Sequence, residues 1–138
     1  MIVVLDTNVL VSGLLSPFGP PAEVVRMATS GALILCLDAR IRSEYTEVLA
    51  RPRFHFQPEA AAALLASLFR NGLSVSALPL AASLPDPDDN PFLEVAIAGA
   101  AEFLITGNGA HFPKKHCQGV VVVSPRECVD AFRGANIP

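Results

Sequence analysis

Short apolar runs alternate with longer amphipathic stretches along the chain. The apolar runs cover residues 2–5, 33–37, 103–106 and 120–123, and show little of the polar alternation of a half-exposed strand. Near-continuous apolar strands are typical of a parallel sheet that is covered on both faces. Helical spacing of apolar residues occurs over 22–29, 39–50, 59–70, 92–100 and 125–132. The alternation predicts an α/β fold, a three-layer α/β/α sandwich with a central, mainly parallel sheet.

Prolines and glycines support the ends of these helices. Proline occupies predicted first turns as Pro58, Pro91 and Pro125, and glycine stands at predicted C-terminal caps as Gly31, Gly72 and Gly134. Proline is favoured in a first turn and glycine just beyond a last turn. The segment 83–91 contains a cluster of turn-forming residues and is expected to be a loop.

The composition fits one compact domain spanning residues 1–138. Of the 138 residues, 51% are hydrophobic, which is high for a short chain and indicates that a second copy or another protein covers part of the surface. The formal net charge of −3 gives no global basic field. Contacts with nucleic acid must therefore be local.

The cysteines and the hydropathy indicate a cellular location. Cys36, Cys117 and Cys128 are odd in number, widely spaced and form no C-x-x-C pair, which is typical of a reducing compartment. No stretch approaches the roughly 18 apolar residues of a membrane span, and the start lacks a signal-peptide pattern. We expect a soluble, unprocessed, cytoplasmic protein without a membrane partner.

Polar side chains follow the predicted strands. Asp6 follows the first strand, Asn108 follows the strand at 103–106, and the acidic loop at 85–90 leads into a helix. Because the carboxyl ends of parallel strands meet at one edge of a sheet, these positions are expected to converge.

A glutamate in the helix at 39–50 is the next candidate. At 100° per residue, Ile41, Tyr45, Val48 and Leu49 form the buried stripe, Glu44 lies on its flank, and Glu47 points nearly opposite. A carboxylate at the edge of the core needs a positive partner, and Arg40 and Arg51 are the nearest candidates.

Together these acids predict a metal-dependent nuclease. Asp6, Glu44 and an aspartate from the loop at 86–89 would repel one another, and Mg²⁺ or Mn²⁺ would relieve the repulsion through oxygen ligands. Such a centre can orient or deprotonate a water for attack on a phosphodiester. Taken singly, each aspartate is better explained as a helix cap and Glu44 as one half of an ion pair. The joint arrangement favours the nuclease.

The residues resemble the PIN-domain ribonucleases, in particular the VapC-like toxin components of bacterial toxin–antitoxin pairs. The resemblance is carried by VVLDTNVLVSGLLSP, SEYTEVLARPRF, DPDDNPFLEVAIAGAAEFLITGN and VVVVSPRECVD, in this order. It implies a parallel sheet flanked by helices, an acidic pocket that binds Mg²⁺ or Mn²⁺, and cleavage of single-stranded RNA. It also implies a homodimer and an antitoxin partner that inserts a segment into the active-site groove.

The resemblance assigns three acids. Asp6 matches the first acid of the family, Glu44 the second and Asp89 the third, which the following A-x-A run at 96–98 places. Asp86 is the nearest competitor for the third role.

The resemblance also assigns supporting positions. Asn8 matches a small polar residue that supports the first acid, and Thr106 matches the threonine before the fourth acid. Many relatives have Thr-Gly-Asp where this chain has Thr106, Gly107 and Asn108. A neutral Asn108 should weaken metal binding, and it raises the alternative of a non-catalytic RNA- or protein-binding module on the same scaffold.

The remaining candidates concern RNA and transition metals. Local positive charge for RNA phosphates comes from Arg51, Arg53, Lys114 and Lys115. Phe54 and Phe112 are candidates for base stacking, although burial in the core is the stronger expectation. His111 and His116 lack the further ligands of a structural zinc site, so a transition-metal site there has the weaker claim.

Overall fold

The computed structural model describes residues 1–135 and contains a five-stranded parallel sheet. The sheet order is β3-β2-β1-β4-β5. The strands are β1 (Ile2–Leu5), β2 (Ile34–Leu37), β3 (Leu73–Ser74), β4 (Phe103–Ile105) and β5 (Val122–Val123). The strands predicted from the apolar runs are confirmed. The prediction missed β3, because an exposed strand of two residues leaves no hydrophobic pattern.

Six helices complete the described part of the chain and give a three-layer α/β/α fold, which confirms the predicted class. They are α1 (Thr7–Leu15), α2 (Pro20–Ser30), α3 (Ala39–Leu49), α4 (Pro58–Asn71), α5 (Asn90–Ala98) and α6 (Pro125–Ala135). Sequence reasoning missed α1 because its nine residues, TNVLVSGLL, show little amphipathic period. None of the helices described here is long and apolar enough to cross a membrane.

Two of the three predicted glycine caps are confirmed, and one needs correction. Gly31 is the C-cap of α2, in the left-handed conformation with φ of 85°. Gly72 is the C-cap of α4, in an extended conformation with φ of −82° and ψ of 164°. Gly134 lies inside α6, because the helix continues past the predicted end.

The centre of the sheet is a topological switch point. β1 pairs with β2 on one side and with β4 on the other, so the chain order reverses between β1 and β4. In such sheets a crevice opens outside the carboxyl ends of the two central strands. The register pairs Leu5 with Ile105, so Asp6 and Thr106 are the residues that face each other at the crevice.

The core fixes the strands that end at this crevice. Val3, Val4 and Leu5 of β1 and Leu104 and Ile105 of β4 are at most 1% exposed. The backbone N–H of Asp6 donates to the carbonyl of Ile105 at 2.9 Å, which extends the pairing of β1 and β4 by one step. The side chains that follow the strands are therefore held on a rigid base.

Candidate active site

Asp6 lies at the bottom of the crevice, 7% exposed, directly after β1. Its carboxylate accepts a hydrogen bond of 2.8 Å from the Thr106 hydroxyl, across the β1–β4 junction. Burial raises the pKa of Asp6, and the Thr106 bond together with the nearby N–H groups of Thr7 and Asn8 opposes the rise. The hydrogen bonds to Asp6 therefore do not fully offset the cost of burying its negative charge.

Glu44 projects from α3 towards the same crevice. It is half-buried, whereas Glu47 is exposed, as the helix geometry predicts. The hydroxyl of Thr7 donates a hydrogen bond to Glu44. Burial raises the pKa of Glu44, the Thr7 bond lowers it, and the negative charges of Asp6 and Asp88 raise it further. Glu44 and Asp6 therefore belong to one electrostatic unit.

Tyr45 fixes the position of α3 relative to β1. Its side chain is fully buried, and its hydroxyl donates a hydrogen bond to the carbonyl of Leu5. Leu5 precedes Asp6, and Tyr45 follows Glu44. A single bond therefore couples the two backbone segments that carry these acids.

Asp89 is the third acid at this end of the sheet. Its side chain is 13% exposed, and its Oδ2 atom lies 3.1 Å from Nδ1 of His111. This oxygen is buried and has no partner in hydrogen-bond geometry among the described residues. Burial raises the pKa of Asp89, and the negative charges of Asp6 and Asp86 raise it further. His111 lowers this pKa.

The capping explanation holds for some aspartates and fails for others. Asp38 caps α3 by accepting from the N–H of Ile41 at 3.0 Å, and Asp86 accepts from the N–H of Asp88 at 2.9 Å. Asp6 and Asp89 also occupy N-cap positions, of α1 and α5, but neither carboxylate makes a side-chain capping bond. Asp86 is therefore used in the local turn, whereas the carboxylates of Asp6 and Asp89 do not cap the helices that follow them.

The loop after β4 surrounds the centre with amide groups. The side-chain carbonyl of Asn8 accepts a hydrogen bond from the N–H of Gly107 at 3.1 Å, so this side chain holds the loop, while the backbone N–H of Asn8 lowers the pKa of Asp6. The N–H of Asn108 donates to the Thr106 hydroxyl at 3.0 Å, which helps to orient the bond from Thr106 to Asp6. The side chain of Asn108 is exposed at the rim.

The donor chemistry of the site fits a hydrated hard cation. Within residues 1–135, no three His, Cys, Asp or Glu side chains form a group able to hold a metal by themselves. Mg²⁺ in enzymes is commonly bound through one or two carboxylates and keeps several waters, so a protein cage of three ligands is not required. Asp6 and Asp89 supply carboxylate oxygens, and the buried Oδ2 of Asp89 has no hydrogen-bond partner in the described structure. A divalent cation would balance the charges that raise the pKa values of these acids.

A cleft of about 380 Å³ adjoins Glu44. Its lining residues come from helix α1 and from the segment that includes α3 and the turn at Pro52–Phe54. They are Thr7, Asn8, Val11, Ser12, Glu44, Val48, Arg51, Arg53 and Phe54. The guanidinium of Arg53 lies 4.7 Å above the ring of Phe54, and Phe54 stacks on Phe56 with 5.7 Å between centroids. This cleft combines acidic, basic and aromatic groups.

Other predicted contacts lie elsewhere. Lys114 lines a separate cleft of about 600 Å³ that contains none of the predicted acids, and Lys115 is exposed beside it. Phe112 is 3% exposed and belongs to the core, as the stronger expectation held. RNA contacts by Lys114 and Lys115 stay predictions.

The predicted arginine partners of Glu44 were wrong. Arg40 pairs with Asp38 at 2.7 Å and with the buried Glu94 at 2.6 Å. Arg51 pairs with Glu47 at 3.1 Å, one helical turn away. A neutral hydroxyl stabilises Glu44 instead, which leaves the net charge of the site negative.

Sequence reasoning gave Thr7 and Tyr45 no role at the acidic site, and it considered His111 only as a candidate for a transition-metal site with the weaker claim. Thr7 is a polar residue directly after Asp6, and this position was the only sequence signal for its role. The helix that begins at Thr7 was not predicted. Tyr45 was recognised as buried, but a buried hydroxyl must find an acceptor, and this requirement was not applied. His111 carries no periodic signal, because it lies in a short 3₁₀ turn, Gly109–His111.

Comparison with known proteins identifies the family pattern over most of the chain. The sequence model described as PIN domain matches residues 2–110. The match includes all the predicted acids and Asn108, and it excludes the closing stretch at 120–130. No curated protein and no solved structure gave a significant match. PIN domains are typically nucleases and generally use divalent metals.

Proposed function

Because the chain belongs to the PIN-domain family, we propose that it is a divalent-metal-dependent endoribonuclease that cleaves single-stranded RNA. The observation that carries the proposal is the pair of aspartates at helix N-termini without capping bonds, Asp6, which is buried, and Asp89, whose side chain is 13% exposed. Structural aspartates at such positions normally accept N–H groups, as Asp38 does. Carboxylate oxygens at a switch-point crevice are suited to a divalent cation, which in turn can bind a phosphate oxygen.

Each acid has a separate task in this proposal. Asp6 and Asp89 would hold the cation, and Glu44 would hold it or the attacking water from the α3 side. When bound, Mg²⁺ or Mn²⁺ lowers the pKa of water and stabilises negative charge on the phosphate. Thr106 orients Asp6, and Thr7 orients Glu44, so the carboxylates are preorganised before substrate arrives.

Supporting groups extend the site towards the nucleic acid. Arg51 and Arg53 offer charge to phosphates in the cleft beside Glu44, and the Arg53–Phe54 stack offers a planar surface to an unpaired base. Unpaired bases are a feature of single strands, which supports single-stranded rather than duplex substrate. Asn8 and Asn108 hold the loop after β4 in place.

The finer biological role is the toxin of a toxin–antitoxin pair acting in the cytoplasm as a homodimer. The sequence resemblance to VapC-like proteins supports the toxin role, and three buried free cysteines are consistent with a reducing compartment. Exposed apolar side chains such as Phe18, 83% exposed, and Leu78, 85% exposed, support a protein partner. A neighbouring gene for a small DNA-binding protein, whose product suppresses growth arrest by this chain, would support this role.

A non-catalytic RNA- or protein-binding module is the second candidate. It is favoured by Asn108, a neutral residue where many relatives carry an acid. The two functions differ in one observable, because a binding module retains RNA intact in the presence of metal.

The substrate class can be tested with matched oligonucleotides. Single-stranded RNA, single-stranded DNA and duplex RNA of one sequence are incubated with purified protein and Mn²⁺ or Mg²⁺. The proposal predicts internal cleavage of the single-stranded RNA, with the other two largely intact. Equal cleavage of the DNA, or release of single nucleotides from one end, would contradict it.

A further inference from the structure

His111 contacts a buried carboxylate oxygen of the acidic site, Oδ2 of Asp89, that has no hydrogen-bond partner in the described structure. Its Nδ1 atom lies 3.1 Å from Oδ2 of Asp89. The contact has the length of a hydrogen bond but not its direction, since Oδ2 of Asp89 has no partner in hydrogen-bond geometry. An imidazole nitrogen and a carboxylate oxygen, the two kinds of atom that can bind one metal ion together, are thus held side by side.

This separation matches two neighbouring ligands of one metal ion. Small divalent cations bind oxygen or nitrogen at about 2.1 Å, and adjacent ligands of an octahedron are √2 times farther apart, about 3.0 Å. An ion-pair contact alone would orient the N–H towards the oxygen. A shared cation requires the lone pairs, not a proton, to point at the space between them.

The loop after β4 fixes the backbone that carries the imidazole. The backbone N–H of His111 donates to the carbonyl of Asn108 at 3.1 Å, and the N–H of Phe112 donates to the carbonyl of Gly109 at 3.0 Å. Phe112, buried in the core, anchors the turn on its far side. His111 lowers the pKa of Asp6 as well as that of Asp89.

We propose that His111 is a nitrogen ligand of the divalent cation, beside Asp89, and that it makes the centre bind Mn²⁺ in preference to Mg²⁺. The proposal rests on the proposed function for the presence of a divalent cation. Imidazole suits first-row transition metals, whereas Mg²⁺ prefers oxygen. Asn108 leaves the centre without the acid that many relatives supply at that position, and the nitrogen of His111 takes a ligand place three residues later.

Metal binding tests this proposal without any RNA. Mn²⁺ and Mg²⁺ affinities are measured by calorimetry for the wild type, His111→Ala and His116→Ala, and spin-echo spectroscopy of bound Mn²⁺ detects a directly bound nitrogen. His116, in the neighbouring turn Lys114–His116, is the matched control. Thermal melting verifies that the variants are folded.

The expected results are specific for the metal. Wild type and His116→Ala bind Mn²⁺ more tightly than Mg²⁺ and show the nitrogen signal. His111→Ala loses the signal and about 10-fold or more of its Mn²⁺ affinity, while its Mg²⁺ affinity changes by less than about threefold. Absence of Mn²⁺ binding, absence of the nitrogen signal in the wild type, or equal losses for both metals would overturn the proposal. If the wild type shows the nitrogen signal of bound Mn²⁺ but leaves RNA intact, the nuclease proposal fails and the proposal for His111 stands.

Discussion

The hydroxyl of Thr7 donates a hydrogen bond to the carboxylate of Glu44, and this bond joins the first turn of α1 to the acidic flank of α3. Thr7 follows Asp6 directly, so the same turn presents one acid and orients another. The bond favours the charged form of Glu44 against burial and against the charge of Asp6. It is the clearest evidence that α1 and α3 form one site.

Replacing Thr7 by valine should therefore reduce catalysis more than binding. The bond lowers the pKa of Glu44, so its loss raises that pKa and moves the acidic limb of the pH–rate profile to higher pH. We expect kcat to fall by about 10-fold, since a hydrogen bond to a charged group contributes about 1.5–3 kcal/mol and Glu44 is only half-buried. Thr7→Ser keeps the hydroxyl and should restore both the rate and the profile. An unchanged profile in Thr7→Val would contradict the role of this bond.

Replacing Asp6 by asparagine should stabilise the metal-free protein. Burial raises the pKa of Asp6 in the folded state, so folding opposes its ionisation, and the resulting destabilisation is present at pH values above the folded pKa. At neutral pH in EDTA, the unfolding temperature should therefore be higher for Asp6→Asn than for the wild type. The difference should shrink as the pH falls through the pKa of Asp6 in the folded state towards its pKa in the unfolded state. A lower unfolding temperature across this range would show that Asp6 is structural.

The two kinds of N-cap aspartate should respond oppositely to mutation. Asp38→Ala removes a capping bond and should cost about 0.5–2 kcal/mol in the free energy of unfolding, with metal-dependent cleavage retained. Asp89→Asn removes no capping bond, so the stability should be kept while cleavage is lost. Urea unfolding and an RNA cleavage assay on both variants provide the comparison. Loss of cleavage in a folded Asp38→Ala variant would contradict the separation of capping and catalytic aspartates.

Tyr45→Phe tests the attachment of α3 to β1. The substitution removes the hydroxyl that donates to the carbonyl of Leu5 and leaves the buried ring in place. A buried acceptor left without its donor costs about 1–3 kcal/mol, so the free energy of unfolding should fall by this amount. The fall should appear as a lower urea midpoint with an unchanged m-value. A variant as stable as the wild type would indicate that water replaces the lost donor.

The sequence was informative where hydrophobic pattern and polar residues coincide. Apolar runs identified β1 and β4, the polar residue after β1 identified Asp6, and the resemblance to the PIN-domain family added Thr106 at the switch point. Helical stepping placed Glu44 at the edge of the core and Glu47 in solvent, as the structure has them.

The rest depended on contacts between distant segments. Arg40 lies near Glu44 in sequence but binds Glu94, a buried residue of α5 that no local pattern links to it. The contact of His111 with Asp89 is made only when the turn after β4 folds over the start of α5. Side-chain partners of this kind follow from packing, which a single sequence does not encode as a local period.

Cleavage of one single-stranded RNA by wild type and Asp6→Asn, in parallel with Mn²⁺, Mg²⁺ or EDTA, tests the central claim most directly. Both proteins are first shown to be folded by thermal melting. The account predicts internal cleavage by the wild type with a divalent metal, none in EDTA, and none by Asp6→Asn under any condition. Intact RNA from folded wild type with every metal, or equal cleavage by Asp6→Asn, would contradict a nuclease centre at Asp6.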